Sequence, residues 1–336
     1  MSPLPFNLFW AAAYPFAVLW AGLTRFRRSL RLSPKAIRTQ AKTVVVGNLH
    51  SGGSGKTPIV AAIAEHYRNL GPAIVSRGYG GTLSRIGGWV DPGQAEGPLL
   101  YGDEPWMLSQ RLMLPVFIGA NRGQALLRVQ EQTPGFFLLD DAFQNRSFRH
   151  DVDLVAIQAD RPLSDAYCLP LGQLREPLSA LGYATGVVLV EGVDRAAFDQ
   201  WKAFIEKRFP SLPLFVTKAE TKGLFGKKGA VEIKGAWGAV CAIARPQAFQ
   251  NQIASLGRQD FFRAYPDHHV YRNSDVDALR VLSQVAGTQT WVTTEKDWHK
   301  LAPLVGDSDP QLVYLRIEYG FSDAFWYFLD THLETA

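Results

Sequence analysis

Residues 44–60 read VVVGNLHSGGSGKTPIV, and Lys56-Thr57 closes a segment shaped like a phosphate-binding loop. Glycines 52, 53 and 55 would let backbone N–H groups approach phosphate oxygens at the start of a helix, where the dipole favours negative charge. Lys56 is then placed to reach the β- and γ-phosphates, and Thr57 to offer a hydroxyl to Mg²⁺. The expected cradle is Gly52, Gly53, Ser54, Gly55, Lys56, Thr57 and Pro58. One position departs from the usual G-x-x-x-x-G-K-[ST] pattern: His50 stands where the first glycine belongs, which removes a backbone option and no phosphate donor. A metal partner is expected at the end of a neighbouring buried strand, and GFFLLDDAFQNR supplies Asp140 and Asp141 there. One carboxylate of that pair is expected to face the metal beside Thr57 and the other to orient it.

Two more polar groups fit proton transfer. YGDEPWM sets Asp103 and Glu104 ahead of a helix, a place for a helix cap or a catalytic base. YPDHHVY sets His268 and His269 beside Asp267, with no third ligand at metal spacing, and by themselves they read as a satisfied surface histidine pair before a functional one.

Short β-rich runs at 43–47, 73–76, 116–118, 135–140, 154–157 and 186–191 alternate with helical stretches, which describes a parallel sheet covered on both faces. The glycine-rich segment 77–103 reads as a long functional loop or hairpin. A smaller α/β domain is predicted from about residue 235. The predicted organisation is an N-terminal apolar helix over 1–28, a P-loop domain over 29–213, a basic, glycine-punctuated linker over 214–234 and the second domain over 235–336.

Residues 1–24 carry no charged side chain, and arginines 25, 27, 28 and 31 follow at once. Such a run with a polybasic collar implies membrane contact, with or without spanning; the alternative, a helix packed in the soluble core or lying in the interface, is strengthened by Pro15 with Asn7. All 31 acidic residues lie from Glu65 onward, whereas eight of the 35 basic residues precede it. A net positive excess confined to one end of a chain argues against a nucleic-acid partner. Cys168 and Cys241 lack metal or C-x-x-C spacing. A GTPase is disfavoured because no N-K-x-D guanine reader is present, and a deviant Walker A switch protein because Ser51 stands where its early lysine belongs.

In order and spacing, GNLHSGGSGKTP, SRGYGG, GDEP, DDAFQNR, LREP, AIARPQAF, DHH and TTEKD resemble the lipid A 4′-kinase (tetraacyldisaccharide 4′-kinase) family over nearly the whole chain. The resemblance implies a P-loop NTPase-like α/β/α sandwich, a second α/β domain closing a cleft, and an N-terminal membrane-associated helix. It implies transfer of the γ-phosphate of ATP, with Mg²⁺, to the 4′-hydroxyl of an acylated disaccharide at the cytoplasmic face of the bacterial inner membrane. By the same resemblance, Lys56, Thr57, Asp140 and Asp141 take nucleotide and metal roles, and Asp103 acts as acceptor-side base with a histidine from the other domain, His268 preferred over His269. Asn48, Arg77, Glu104, Arg122, Gln144, Arg175 and Glu176 are implied as substrate-binding residues. That family commonly has Ser or Thr at the position of His50, and often His where this chain has Asn145.

Overall fold

Val44, Val45 and Val46 form a β-branched run suited to a strand covered on both faces, and all three are fully buried in the strand Lys42–Asn48. The structure is a computed structural model that describes residues 9–29, 36–52, 55–160, 162–233, 235–257 and 259–334. The chain divides into two units, one of Met1–Ser76, Arg122–Ala219 and Tyr319–Ala336, the other of Arg77–Asn121 and Glu220–Glu318.

In the first unit Lys42–Asn48 lies between Phe136–Asp140 and Val152–Ala159, parallel to both. Ala73–Ser76 extends the sheet beyond Phe136–Asp140, and Gly186–Glu191 and then the start of Leu214–Gly226 extend it on the other side, all parallel. The helix Lys56–His66 packs on Lys42–Asn48 and Phe136–Asp140, and Arg195–Arg208 packs on Val152–Ala159 and Gly186–Glu191. This is the P-loop NTPase-like α/β arrangement, with strand, turn and helix following one another as a phosphate loop requires. The C-terminal helix Asp323–Leu333 returns to the loop helix: Trp326 stacks on His66 at 3.8 Å, and the Tyr67 hydroxyl donates to Asp330 Oδ1 at 2.6 Å.

The apolar N-terminal run forms the helix Phe9–Ser29. Its small residues Ala13 and Ala17 are buried, while Tyr14, Phe16, Val18, Leu19, Leu23 and Phe26 are exposed. Its end is fastened by charge: buried Arg28 meets Glu176 Oε2 at 2.8 Å and lies 4.0 Å over the Phe143 ring, and Arg146 donates to the Arg28 carbonyl at 2.6 Å. Among the described residues no helix is long and apolar enough to cross a membrane. Of the collar, Arg31 lies outside the described residues.

The second unit contains a parallel sheet in the order Phe262–Ala264, Trp237–Cys241, Thr290–Thr294, Gln311–Tyr319, the last residue of which already counts with the first unit. Phe249, Val292 and Val313 fill the core on one side, and Val276, Leu279 and Trp291 form a second cluster.

The domain boundaries differ from the sequence-based expectation in three ways. The expected linker 214–234 is largely ordered: Leu214–Gly226 is a strand that turns back on Gly229–Val231 as an antiparallel hairpin. Its lysines misled because they sit on exposed positions while Phe215, Thr217 and Leu224 are buried. Residues 77–121, expected in the P-loop domain, belong to the second unit, and 319–336 belong to the first. Cys168 and Cys241 are buried, which pushes their thiols up to about 11 and about 12.

Candidate active site

The loop after Lys42–Asn48 explains how His50 is tolerated. Its backbone forms a bridge with Leu174, and the neighbouring Ser51 N–H donates to the Gln173 carbonyl at 2.7 Å. The described residues with positive φ that are not glycine are Met113, Thr133, Asp141 and His268, so His50 uses no conformation reserved for glycine. Its ring packs edge-on to Trp201 at 5.9 Å. Farther along, Gly52 and Gly55 do take positive φ, 95° and 72°. A Cβ at Gly55 would stand 2.5 Å from the Tyr319 hydroxyl, so this position needs glycine for conformation and for space. Gly53 and Ser54, both expected in the cradle, lie outside the described residues.

Lys56, Thr57 and Pro58 open the loop helix. Pro58 costs nothing there, because the first turn of a helix has no partner for its N–H. Asp140 ends its strand in register with Val46 and is buried. Asp141 follows in a left-handed backbone, φ 53°, 3.4 Å from Lys56 Nζ, and Arg175 Nη1 donates to both its oxygens at 3.1 Å. Burial alone would raise the Asp141 carboxyl, but Lys56 and Arg175 outweigh it and hold the group below the usual carboxylate range.

Asn48 Nδ2 donates to the His50 carbonyl and Gln144 Nε2 to the Asn48 carbonyl, each at 2.7 Å, so both amides shape the loop. Glu176 is held by Arg28, and Arg122 is buried at the start of the helix Arg122–Val129. Trp20 Nε1 donates to the Arg175 carbonyl at 2.9 Å, which ties the N-terminal helix to the residue that grips Asp141. A cavity lies here, lined by Trp20, Arg27, Gln144, Arg146, Arg175 and Glu176 among others. Asn145, where an imidazole was the comparison, accepts from the Ser147 N–H at 2.9 Å and its hydroxyl at 2.7 Å, a local turn bond.

The proton-transfer candidates come together in the second unit. Asp103 opens the helix Asp103–Leu112, and its side chain does not cap that helix. It faces His268 instead, with Nδ1 3.1 Å from Asp103 Oδ2, and Lys300 Nζ donates to the same oxygen at 3.2 Å. The expectation that base and histidine come from different domains is corrected here, since both belong to one unit. His269 is turned away: its Nε2 pairs with Asp275 Oδ2 at 3.0 Å. Glu104 lies 3.8 Å from both His268 Nε2 and Lys296 Nζ. Arg77, also in this unit, is exposed.

His268 has φ 59°, a conformation rare for a histidine, and Tyr79 meets its ring edge at 5.3 Å. Strain of this kind concentrates at functional sites. Burial opposes ionisation of Asp103, but the His268 hydrogen bond and the Lys300 and Lys296 charges hold its carboxyl below the usual range. The same hydrogen bond raises the His268 imidazole above its ordinary value against the effect of burial. Sequence reasoning missed Lys300 and Tyr319. The TTEKD motif pointed near the lysine, but nothing in it marked a side chain three residues further on.

A family model described as tetraacyldisaccharide-1-P 4′-kinase matches residues 9–334. The tetraacyldisaccharide 4′-kinase of Syntrophobacter fumaroxidans is 34% identical over 291 residues, 82% of this chain and 75% of its own. That of Hydrogenovibrio crunogenus is 31% identical over 306 residues, covering 90% of this chain and 86% of its own. Among solved structures, LpxK from Aquifex aeolicus in complex with ATP aligns over 97% of this chain and 100% of its own, with TM-score 0.73 and 22% identity.

Proposed function

The chain belongs to the tetraacyldisaccharide 4′-kinase family, and from that premise we propose that it transfers the γ-phosphate of ATP to the 4′-hydroxyl of a tetraacylated glucosamine disaccharide 1-phosphate. The chain-long family match carries this reading. The first unit supplies the donor chemistry: loop amides, Lys56 and the start of the helix Lys56–His66 suit a triphosphate. Lys56 and Arg175 already gather around Asp141, so two cations are preorganised beside the loop. The Thr57 hydroxyl at the start of the loop helix and the Asp140 and Asp141 carboxylates at the end of the neighbouring strand would supply an all-oxygen donor set. Such a set fits Mg²⁺, which keeps few protein ligands and completes its shell with water and phosphate. No described cluster of three or more His, Cys, Asp or Glu offers a dedicated cage for a different metal. When bound, Mg²⁺ would neutralise charge on the β- and γ-phosphates.

The second unit supplies the acceptor chemistry. Asp103, anionic through its cationic neighbours, takes the proton of the attacking hydroxyl, and His268 orients it. The exposed apolar side chains of the helix Phe9–Ser29, followed by basic residues, suit lying on the cytoplasmic face of the inner membrane, where an acylated acceptor resides. The test is turnover of radiolabelled ATP by the purified protein with the acyl-disaccharide, against a soluble sugar. Transfer to the 4′-position of the lipid alone is expected; equal labelling of the soluble sugar, or ATP hydrolysis without transfer, overturns the reading.

A further inference from the structure

Lys300 is an uncommon lysine: its side chain is only 8% exposed, and its ammonium is surrounded by acceptors from separate stretches of chain. It donates to Asp103 Oδ2 and to the His269 carbonyl, each at 3.2 Å, and stands 3.0 Å from Asp297 Oδ1. The Tyr271 ring lies 5.5 Å away. Asp297 is itself immobile, because it is fully buried and its Oδ2 accepts from the Ala242 N–H at 2.8 Å and the Thr294 hydroxyl at 2.7 Å. The lysine therefore links a fixed point in the helix Glu295–Leu301 to the first residue of Asp103–Leu112 and to the histidine turn.

Both donors to Asp103, His268 Nδ1 and Lys300 Nζ, converge on Oδ2, and no described residue donates to Oδ1. A carboxylate held in this way has one oxygen committed and one available. We propose that Lys300 is a positioning residue for phosphoryl transfer: it pins Asp103 Oδ2 alongside His268, so that Oδ1 is the oxygen that receives the proton of the acceptor hydroxyl. This rests on the kinase reading given above. In the step it serves, the acceptor oxygen bonds to the γ-phosphorus as the bridging bond to the β-phosphate breaks. ADP leaves, and the hydroxyl proton passes to Asp103 Oδ1.

The charge of Lys300 has a second effect, on when the base is available. The charged groups acting on Asp103 are His268 on the turn and Lys296 and Lys300 on Glu295–Leu301, and these are paired in turn with Glu104, Asp267 and Asp297. Within this set Lys300 and Lys296 favour the anionic carboxylate, in line with the lowered Asp103. A base is active only while deprotonated, so activity falls as pH drops through its pKa. Removing Lys300 raises that pKa and moves the acid limb to higher pH.

The experiment compares wild type with Lys300→Met and Lys300→Arg. The methionine variant is expected to lose about tenfold in kcat with KM for ATP unchanged, and to show the acid limb of the kcat profile displaced upward. The arginine variant keeps the charge and should return the limb toward its original position. In parallel, the ¹³C titration of the Asp103 side chain, assigned with Asp103→Asn, should move upward in Lys300→Met. This last readout needs no turnover, so absence of lipid phosphorylation by wild type would refute the kinase reading while the titration still judges the lysine. An unmoved acid limb together with an unmoved carboxyl titration overturns the proposal. So does a kcat loss shared equally by Met and Arg with no change in pH dependence, which is the mark of packing alone. Should Lys300→Met fail to fold, Lys300→Gln, which retains a donor for the His269 carbonyl, carries the same comparison.

Discussion

Gly55→Ala tests whether the loop is fixed from outside by Tyr319. Two costs add at this position. An alanine at φ 72° pays roughly 1–2 kcal/mol for the left-handed backbone. Its Cβ would also stand 2.5 Å from the Tyr319 hydroxyl, with ring atoms at 3.1 and 3.2 Å, and overpacking of this kind costs about 1–3 kcal/mol. The expected total is about 2–5 kcal/mol, read as a lower urea midpoint at unchanged m-value. The two costs can be separated because Tyr319→Phe removes the atom at 2.5 Å and leaves the nearest contact at 3.1 Å. In the Phe background the same Gly55→Ala change should cost about 1–2 kcal/mol less, a coupling that a double-mutant cycle measures directly. Strictly additive losses would show that Tyr319 does not meet the loop, and the argument would fail. The remaining backbone cost would persist in either case.

Asp103→Asn and His268→Ala should each lower kcat by about 10²-fold or more with little effect on ATP binding by calorimetry, and the double variant should be scarcely worse than the poorer single; multiplying losses would separate their roles. The raised His268 imidazole contributes stability that is present below its unfolded pKa and fades as pH rises through the higher folded value. The stability difference between wild type and His268→Gln, taken from urea unfolding, should therefore be larger in mildly acidic buffer than in alkaline buffer, and an opposite trend would contradict the pairing. Arg28→Met leaves buried Glu176 without its cation, so a loss of about 3–5 kcal/mol is expected in thermal or chemical unfolding. The same variant should also sediment less with anionic vesicles, because Arg28 fastens the helix Phe9–Ser29 to the unit; unchanged sedimentation would mean that another surface makes the attachment.

The chemistry was more legible in the sequence than the partition of the chain. The β-branched run at 44–46, the glycines and the Lys-Thr pair announce strand, turn and helix because each depends on local backbone preferences. The Asp pair at the end of an apolar run is legible for the same reason. That Asp103 and His268 share a unit was not legible, since it depends on residues 77–121 leaving the first unit and joining one that resumes only at Glu220. No periodicity records such an excursion. Composition misread 214–226 because alternation between buried Phe215 and Thr217 and the exposed residues between them is a weaker signal than lysine and glycine content. His269 and His268 are neighbours in sequence, and only the backbone turn at φ 59° decides which one reaches Asp103.

The helix Asp323–Leu333, stacked through Trp326 on His66 and bonded through Asp330 to Tyr67, belongs to the unit that carries the phosphate loop. These residues follow the whole of the second unit in chain order. The second unit has all its sequence before Tyr319, whereas the loop helix is covered by residues that come after it. Loss of residues 323–333 would therefore injure the protein far back in its sequence, at His66 and Tyr67, where the helix that begins at Lys56 ends.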